Sequence, residues 1–451
     1  MTRKASCLTA VALLSLAETL SAATITDFTV TGDASKLTIG YTIDAEAYVT
    51  GDVLIGGESI GASLGSFVGT VNEKVAAGTY TAYWFPTVSI PGRQIAEGEL
   101  KVRLSVRDVT DPPDYLVHNL SRATPRLKYY DNTNAIPGGI TSDRYKLDYV
   151  VLRRIPGQEA CWQMDGKRWV TLSHDFWMGV YPVTQRQYSL VRGTSGVPPQ
   201  FSDYDDSDLH PVSNVSSLNL EGWQQFHNNG NEYREWSQGP DNTHFFYAWR
   251  RIFPSNTPPM SFYLPTEAQW AFACGNGVSS SAADFGDYVW HSGNSDGKTH
   301  PVGLKKPNEY GLYDMQGNVA ELTLDGWVSD LGVADAMDPY VKPSDRSNKV
   351  TYRGGSWNDA PDGCLGTSRF GMPYQSSDVR CGFRICSTIF STTTRNSRVD
   401  YDAALAPALD TRTSATAPGT LATFDSVFGI RVISNVAELY GVRPGALIIF
   451  K

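Results

Sequence analysis

Apolar and polar residues alternate along the stretch that follows position 23. Residues 37–43 (LTIGYTI) and 100–106 (LKVRLSV) have an apolar side chain at every second position. Turn sequences such as Gly32-Asp33 and Pro91-Gly92 separate these runs from similar ones nearby. A period of two is typical of strands that bury one face, and about seven such short strands favour two packed sheets. The pattern predicts an all-β immunoglobulin-like sandwich over residues 24–111.

The pattern changes after the predicted sandwich. Residues 112–147 contain Pro and Gly clusters with few periodic apolar positions, which predicts a linker. Over residues 148–387, short helical segments are expected among aromatic-rich loops. Residues 388–451 begin with a stretch rich in Thr, Ser, Ala and Pro, which is typical of a flexible linker. The apolar runs at 427–433 and 446–450 could form two strands of a small tail.

The first residues have the composition of a secretory signal. Two basic residues at positions 3 and 4 precede an apolar run over residues 5–17, and small residues follow at 21–23. The run is too short to cross a bilayer comfortably, so we predict a cleaved signal peptide over residues 1–23. The alternative is an N-terminal strand. No later segment has membrane-spanning length, so we expect an exported protein that is secreted, periplasmic or at the cell surface.

Composition narrows the functional classes. A chain of 451 residues is expected to form two or three domains. Its formal net charge of -9, without any Lys/Arg run, argues against nucleic acid as a partner. Cleavage of the signal would leave five cysteines, because Cys7 lies in the apolar run. An odd number leaves at least one thiol without a disulfide partner in the chain.

Ordered motifs occupy the middle of the chain. Residues 181–188 (YPVTQRQY) and 264–270 (LPTEAQW) each contain Thr followed three positions later by Gln, which predicts a helix with a capping box. Further on lie residues 307–321 (PNEYGLYDMQGNVAE), 353–357 (RGGSW) and 382–384 (GFR). Two consecutive glycines in the fourth motif allow the backbone a close approach that side chains would prevent.

These motifs, in this order, resemble the landmarks of the formylglycine-generating enzyme (sulfatase-modifying factor) family over residues 148–387. The resemblance implies an α+β domain with a C-type lectin-like fold and little regular secondary structure. It also implies a calcium ion and an oxidase activity that converts a cysteine of a partner protein to formylglycine. That activity uses molecular oxygen and copper bound by a pair of cysteines.

The calcium site can be placed on particular residues. Asp314 and Glu321 are hard oxygen donors on either side of a turn, and the carbonyls of Gly317 and Val319 could complete the shell. The same positions carry the calcium motif in the family. The alternative is that both carboxylates only cap and pair at the surface.

The copper site departs from the family pattern. Counted from Trp357, Cys364 stands at the second thiol position, but Asp359 stands at the first. Cu(I) prefers sulfur ligands, so the sequence predicts an impaired copper site. Ser356 and Arg369 match active-site positions, with a turn hydroxyl and a structural ion pair as the respective alternatives.

Cys364 has three interpretations: a remaining ligand, a free thiol, or half of a disulfide. Cys274 matches a position that is disulfide-bonded in some family members, which suggests a Cys274–Cys364 bridge. Ala320 and Leu322 replace two tryptophans of the family motif, and Arg380 lies near the position of a family Asn. The seven histidines show no metal-ligand spacing, which argues against the iron site of related sulfoxide-forming enzymes.

Two functions remain open from the sequence. The first is cysteine oxidation in a partner protein. The second is a non-catalytic lectin-like module that binds a protein or glycan ligand through the loops Asn358 to Gly363 and Tyr374 to Asp378. The altered cysteine position favours the second.

Overall fold

The computed structural model describes most of the chain after position 22. The described residues are 23–60, 67–109, 111–121, 127–157, 160–192, 207–221, 244–252, 262–275, 277–341, 349–388, 399–404, 409–410, 429–433 and 436–440. The predicted signal peptide therefore lies outside the described residues, apart from its last position.

Short strands dominate the N-terminal part. Its elements are β1 (Ile25–Gly32), β2 (Leu37–Ile43), β3 (Ala47–Ile55), β4 (Glu58–Ser59), β5 (Val68–Gly69), β6 (Glu73–Val75), β7 (Gly78–Trp84), α1 (Pro86–Ser89), β8 (Gln94–Ile95) and β9 (Leu100–Asp108).

The middle part mixes strands with short helices. Its elements are β10 (Tyr115–Asn119), β11 (Leu127–Tyr130), α2 (Arg144–Leu147), β12 (Tyr149–Ile155), β13 (Cys161–Met164), β14 (Arg168–Thr171), β15 (Phe176–Gly179), α3 (Gln185–Arg192), α4 (Ser217–Glu221), α5 (Phe245–Arg251), β16 (Phe262–Tyr263), α6 (Glu267–Cys274), α7 (Phe285–Tyr288), β17 (Ala320–Gly326), β18 (Ala336–Met337), β19 (Lys349–Arg353), β20 (Arg369–Pro373), β21 (Cys381–Phe383) and β22 (Cys386–Thr388). Three 3₁₀ turns are described at Thr133–Ala135, Ser207–Leu209 and Pro361–Cys364. The last strands are β23 (Val399–Ala404), β24 (Leu409–Asp410), β25 (Gly429–Ile433) and β26 (Val436–Tyr440).

The N-terminal strands form two antiparallel sheets around one apolar core. The first sheet has the order β1-β2-β7-β5, and the second has the order β23-β9-β3-β4 with β6 on β3. In β2, the side chains at positions 37, 39, 41 and 43 are buried and the others are half-buried, as the alternation predicted. The two packed sheets agree with the predicted all-β unit, whereas its immunoglobulin-like class stays a prediction.

The C-terminal region contributes strands to the N-terminal unit. β23 pairs antiparallel with β9, with Tyr401 opposite Leu104, and β24 pairs with β8. The prediction of a flexible linker within residues 388–451 is therefore corrected for the residues that form β23 and β24. Small and polar residues can join a sheet edge because main-chain hydrogen bonds hold the strand there. In the predicted tail, β25 and β26 form a hairpin, and residues 446–450 lie outside the described residues.

The predicted linker over residues 112–147 is also corrected. β10 and β11 belong to a six-stranded sheet with the order β11-β10-β12-β15-β22-β16. All five residues of β10 are buried. A strand that is buried on both faces lacks the period of two, so its sequence does not carry the usual strand signal.

The six-stranded sheet separates two apolar cores. Leu116, Leu152 and Trp177 point into one core, together with side chains of α3 and α5. Val151 and Met178 point into the other, which includes most of α6. Successive strand residues face opposite sides, so this sheet is the central layer of the middle domain.

A second sheet carries the motifs that the sequence singled out. Its order is β20-β19-β17-β21, and β17 runs parallel to β21. Glu321 lies on β17, Arg353 on β19 and Arg369 on β20, so candidate residues that are distant in sequence meet here. The loop that leads from β19 towards β20 contains Cys364.

The N-terminal unit contacts the middle domain through polar and aromatic groups. The Arg107 side chain pairs with Asp131 at 2.7 Å, and Lys128 pairs with Glu73 at 2.5 Å. The ring of Tyr129 packs edge-on against Tyr48, with centroids 4.7 Å apart. Arg154 continues this network by pairing with Asp111 at 2.6 Å and Asp175 at 2.8 Å.

Within the described residues, the helices are all too short or too polar to cross a membrane.

Candidate functional site

The loop after β19 is held closely against its own continuation. Gly354 and Gly355 have φ values of 90° and 65°, a region that side chains disfavour. A Cβ atom at Gly355 would lie 2.4 Å from the carbonyl oxygen of Gly363 and 2.9 Å from the sulfur of Cys364. The glycine pair is therefore required for the turn that places Ser356 beside Cys364.

Cys364 is a buried thiol in a 3₁₀ turn. Its Sγ donates to the carbonyl oxygen of Ser356 at 3.4 Å, and its side chain packs with Phe285 and Val289. Burial raises the pKa of the Cys364 thiol to about 12, and the negative charge of Asp359 adds to the effect. The thiol is therefore protonated at neutral pH, which disfavours both nucleophilic attack and metal binding.

No disulfide joins Cys274 to Cys364. The five described cysteines, Cys161, Cys274, Cys364, Cys381 and Cys386, are all free thiols. The suggested Cys274–Cys364 bridge is therefore not present in the structure. Cys274 faces Gly366 instead, where a Cβ atom would lie 2.8 Å from its sulfur.

Asp359, which stands at the first thiol position, forms an ion pair with Arg380. The Ser356 hydroxyl donates to Asp359 Oδ2 at 2.5 Å, and Arg380 Nη1 donates to Asp359 Oδ1 at 3.2 Å. Arg380 also donates to both carboxylate oxygens of Asp378, at 2.8 and 3.0 Å. Arg380 thus joins the loop that contains Asp359 to the loop that ends at Asp378.

Arg369 is engaged in a structural ion pair. Its Nε and Nη2 donate to the two carboxylate oxygens of Glu267 at 2.5 and 2.8 Å, and its Nη1 donates to the carbonyl of Val328 at 3.1 Å. The guanidinium also lies 4.9 Å from the ring centre of Trp327. These contacts agree with the ion-pair alternative for Arg369, and they direct its donors to Glu267 instead of to Cys364.

The predicted calcium ligands differ in what they already bind. Glu321 is fully buried, and its oxygens accept from Arg384 Nη2 at 2.8 Å and from the indole N–H of Trp270 at 2.7 Å. A guanidinium therefore balances this carboxylate.

The donors to Asp314 from the described residues are neutral groups. Its Oδ2 accepts the N–H of Gly303 at 2.7 Å, and its Oδ1 lies 3.5 Å from the Asn318 amide nitrogen. Burial raises the pKa of the Asp314 carboxyl to about 6. A bound cation would therefore stabilise the buried charge of Asp314, whereas the charge of Glu321 is already balanced by Arg384. The calcium site stays a prediction.

The residues at the copper position do not fit a copper centre. Cys364 supplies one protonated sulfur, and Asp359 supplies a carboxylate that already binds Ser356 and Arg380. Within the described parts of the chain, no group of three or more His, Cys, Asp or Glu side chains could hold a metal ion.

The sequence singled out Ser356, Cys364 and Arg369 but did not predict their partners. The structure brings Ser356 and Cys364 together and ties Arg369 to Glu267. It also pairs Asp359 with Arg380. A signal for that pair was present, because an acidic residue at a family cysteine position coincides with a basic residue near a family Asn.

Comparison with known proteins agrees with the motifs. The family model described as "Sulfatase-modifying factor enzyme 1-like domain" matches residues 127–389, so it includes β11 and begins before the predicted boundary at 148. The chaperone protein LppX of Paenibacillus barcinonensis is 26% identical in an alignment of 214 positions that covers 38% of this chain and 75% of that protein.

Two further relatives differ in the activity that their names state. The formylglycine-generating enzyme of Bos taurus is 28% identical over 151 residues, covering 29% of this chain and 40% of the enzyme. The inactive C-alpha-formylglycine-generating enzyme 2 of Mus musculus is 29% identical over 146 residues, covering 28% and 42%. The chain thus spans less than half of either relative. With the family model matching more than half of its length, the chain belongs to the formylglycine-generating enzyme (sulfatase-modifying factor) family.

Proposed function

We propose that the protein is an exported, non-catalytic member of its family that uses the lectin-like domain to bind a protein or glycan ligand. The observation that carries the proposal is the Asp359–Arg380 pair at the position of the family's first catalytic thiol. Export rests on the signal-like sequence over residues 1–23.

The chemistry of the site supports the loss of turnover. Two thiolates are needed to hold one soft Cu(I) ion. Here the single sulfur of Cys364 is buried and protonated, and the oxygen of Asp359 is a hard ligand that is already bonded to Ser356 and Arg380.

The arrangement of the loops supports binding. Arg380 holds the loop Asn358 to Gly363 beside the loop Tyr374 to Asp378 through its contacts with Asp359 and Asp378. Exposed small or polar side chains on these loops include Asn358, Gln375, Ser376 and Ser377. Loops fixed on a rigid scaffold are the usual place for recognition.

A turnover assay tests the proposal. The purified full chain is incubated with Cu(I), oxygen and a sulfatase-type cysteine peptide, and the peptide is examined by mass spectrometry. We expect no aldehyde, from either the wild type or the matched variant Cys364→Ser. Aldehyde formed by the wild type and lost in Cys364→Ser would overturn the proposal.

The binding function needs a separate measurement. The full chain is screened against a panel of glycans and extracellular peptides. A ligand that uses the paired loops should lose affinity with Gln375→Trp but not with Glu97→Trp, which alters an exposed site in the N-terminal unit. If both variants bind each ligand with equal affinity, the paired loops are not the binding site.

The calcium proposal depends on Asp314 and the carbonyls of Gly317 and Val319, because Glu321 is balanced by Arg384. A cation at this site would relieve the cost of the buried Asp314 charge. We expect a chelator to lower the melting temperature of the wild type, added calcium to restore it, and Asp314→Asn to respond to neither. Identical melting of the wild type in chelator and in calcium would contradict this.

A further inference from the structure

One arginine of the central sheet has no bonded counter-charge. Arg153 lies on β12, directly opposite Tyr115 of β10, and it is half-buried. Within the residues that the structure describes, its side chain makes neither a hydrogen bond nor an ion pair. The next residue, Arg154, pairs with both Asp111 and Asp175. Because a charge that leaves water without a partner is costly, Arg153 requires an explanation that Arg154 does not.

An aromatic ring and the backbone hold the Arg153 guanidinium in place. Its Cζ lies 5.7 Å from the ring centre of Tyr115, and aromatic faces attract cations. A Cβ atom at Gly311, which has a φ of 70°, would lie 2.6 Å from Arg153 Nη1. Glycine in this motif therefore leaves the space that the guanidinium occupies. A ring cannot accept all five N–H groups of the guanidinium, so donors remain available.

Three tyrosines supply further donors in this region. Tyr115 is 6% exposed, while Tyr310 and Tyr313 are half-buried. The ring centre of Tyr310 lies 5.7 Å from that of Phe272. The ring of Tyr313 stacks on Tyr181 with centres 5.0 Å apart. In the described part of the chain, none of the three hydroxyls forms a hydrogen bond with another residue. We name Arg153 and these three tyrosines the Arg153 cluster.

The Arg153 cluster consists of groups that can donate at neutral pH. Burial raises the pKa of the Tyr115 and Tyr310 phenols, and the positive charge of Arg153 opposes this rise at both. The guanidinium is therefore close to both hydroxyls. Burial also raises the pKa of Tyr313. Each phenol thus has a pKa above its ordinary value of 10.0 and keeps its proton.

The carboxylates that act on these phenols are directed elsewhere. A Cβ atom at Gly275 would clash with Glu309 Oε1, so that carboxylate lies at the end of α6. Asp314 accepts the N–H of Gly303 at 2.7 Å. Asp114 is exposed, and no ion pair joins it to the guanidinium. A ligand with one negative charge would balance Arg153, whereas a second negative charge would be repelled by these carboxylates.

We propose that the Arg153 cluster binds a singly charged oxyanion group, the carboxylate or the sulfate monoester of a ligand. The planar guanidinium can donate two parallel hydrogen bonds to two oxygens of such a group. The tyrosine faces can pack against a ring that carries it. The inference does not rest on the proposed function, because neither of the paired loops contributes a residue to the cluster.

Arginine labelling with phenylglyoxal tests the site in the full chain. The reagent attacks accessible guanidinium groups, and peptide mass spectrometry gives the rate at each arginine. We expect Arg153 to react, whereas Arg384, which is fully buried and paired with Glu321, stays unlabelled. Saturating benzoate should slow the labelling of Arg153 about fivefold or more. It should not slow the labelling of the exposed Arg93. Phenyl sulfate in place of benzoate shows which of the two oxyanions binds more tightly.

Two control compounds separate a site from a general ion effect. Benzyl alcohol carries the ring without the charge and should not protect Arg153. Sodium chloride at the same ionic strength should not protect it either. Equal protection by chloride would indicate an adventitious ion only and would overturn the inference. Labelling of Arg153 that neither benzoate nor phenyl sulfate slows would also overturn it.

The variant Arg153→Gln separates binding from a structural role. Benzoate should raise the melting temperature of the wild type but not that of the variant. Without an anion, the variant should melt at the same temperature as the wild type or higher, because a half-buried charge without a bonded partner is removed. A lower melting temperature of the variant would show that the guanidinium is structural, and the inference would fail.

A second variant has the opposite expected effect. Asp114→Asn removes an exposed carboxylate that acts on Tyr115, so benzoate should protect Arg153 at about half the concentration or less. Asp27→Asn removes an exposed carboxylate from β1 and should leave the protecting concentration unchanged. Equal effects of the two variants would mean that benzoate responds only to the net charge of the protein, which would contradict a site at Arg153.

Discussion

At the scale of single residues, the burial of Asp325 links stability to pH. Its Oδ2 accepts the N–H of Glu267 at 2.7 Å, and its Oδ1 accepts the N–H of Val341 at 2.9 Å. Burial nevertheless raises the pKa of this carboxyl from 3.8 to about 7. Between these values the folded state keeps a proton that the unfolded state releases. Stability should therefore fall as pH rises from about 4 to about 7, and this contribution should be constant at higher pH.

The variant Asp325→Asn isolates this effect. The variant loses one backbone hydrogen bond at every pH, at a cost of about 1–3 kcal/mol. As the pH rises from about 4 to about 7, the free energy of unfolding of the wild type should fall by at most about 4 kcal/mol relative to that of the variant, because one pKa unit corresponds to about 1.4 kcal/mol. Urea unfolding of both proteins at several pH values measures the difference. A constant difference from acid to neutral pH would contradict the raised pKa.

The position of Gly366 would allow an engineered disulfide with Cys274. A Cβ atom there would lie 2.8 Å from the sulfur and 3.9 Å from the Cβ of Cys274. The second distance falls in the range of about 3.5–4.5 Å that disulfides require. Gly366→Cys should therefore form a bond with Cys274 under oxidising conditions and stabilise the domain by up to about 4 kcal/mol.

Peptide mapping without reductant, together with thermal unfolding, would detect this bond. The double variant Cys274→Ala/Gly366→Cys is the control and should keep a free thiol. If the new cysteine stays alkylatable beside an intact Cys274, the geometry at this position is wrong.

The candidate site residues also show which features the sequence could predict and which it could not. The motifs matched Ser356 and Cys364 to active-site positions and put Asp359 at the family thiol position. They could not predict that Arg369 binds Glu267 or that Glu321 binds Arg384, because these partners lie 102 and 63 positions away. A side chain's type limits its possible partners, but only the fold selects among them.

At the scale of elements, the local signals were the more reliable ones. The capping box that begins α6 is confirmed: Thr266 accepts from the N–H of Gln269, and the Gln269 side chain accepts in return. The corresponding bonds between Thr184 and Gln187 are present at the start of α3. The linker prediction over residues 112–147 was wrong because β10 is buried on both faces, which removes the alternation that identifies a strand.

The contact of α6 with β19 and β20 depends on one buried carboxylate. Glu267 accepts from Arg353 Nε at 2.9 Å and from two donors of Arg369. Glu267→Gln leaves Arg369 without its carboxylate partner, while Arg353 keeps Asp165, and should cost about 3–5 kcal/mol. Thr266→Ala, which removes only the helix cap, should cost about 1 kcal/mol. Urea unfolding that shows no greater loss for Glu267→Gln would mean that Arg369 has a different main partner.

At the scale of the whole molecule, a strand from the C-terminal region adds to a sheet of the N-terminal unit. The N-terminal unit was predicted from alternation alone, but its strand β23 comes from residues 399–404, which the composition predicted as linker. Its contact with the middle domain also uses Arg107, Asp131 and Lys128, whose pairing has no sequence signal. Charges on separate segments can be assigned to each other only after the domains are placed.

β23 covers one edge of β9, and the backbone pairing gives a specific test. N–H groups of successive strand residues point to opposite edges, so one of the two at positions 400 and 401 faces β9, opposite Ser105 and Leu104. Asp400→Pro/Tyr401→Pro removes both N–H groups and should therefore detach β23 and expose that edge of β9 (Leu100–Asp108), while β3 still protects the other edge. Hydrogen exchange should accelerate at alternate amides of β9, those that face β23, and stay slow at the others. Asp400→Thr/Tyr401→Thr keeps both N–H groups and should leave all of them protected. Unchanged exchange along β9 in the proline variant would mean that the C-terminal strand does not hold this edge in solution.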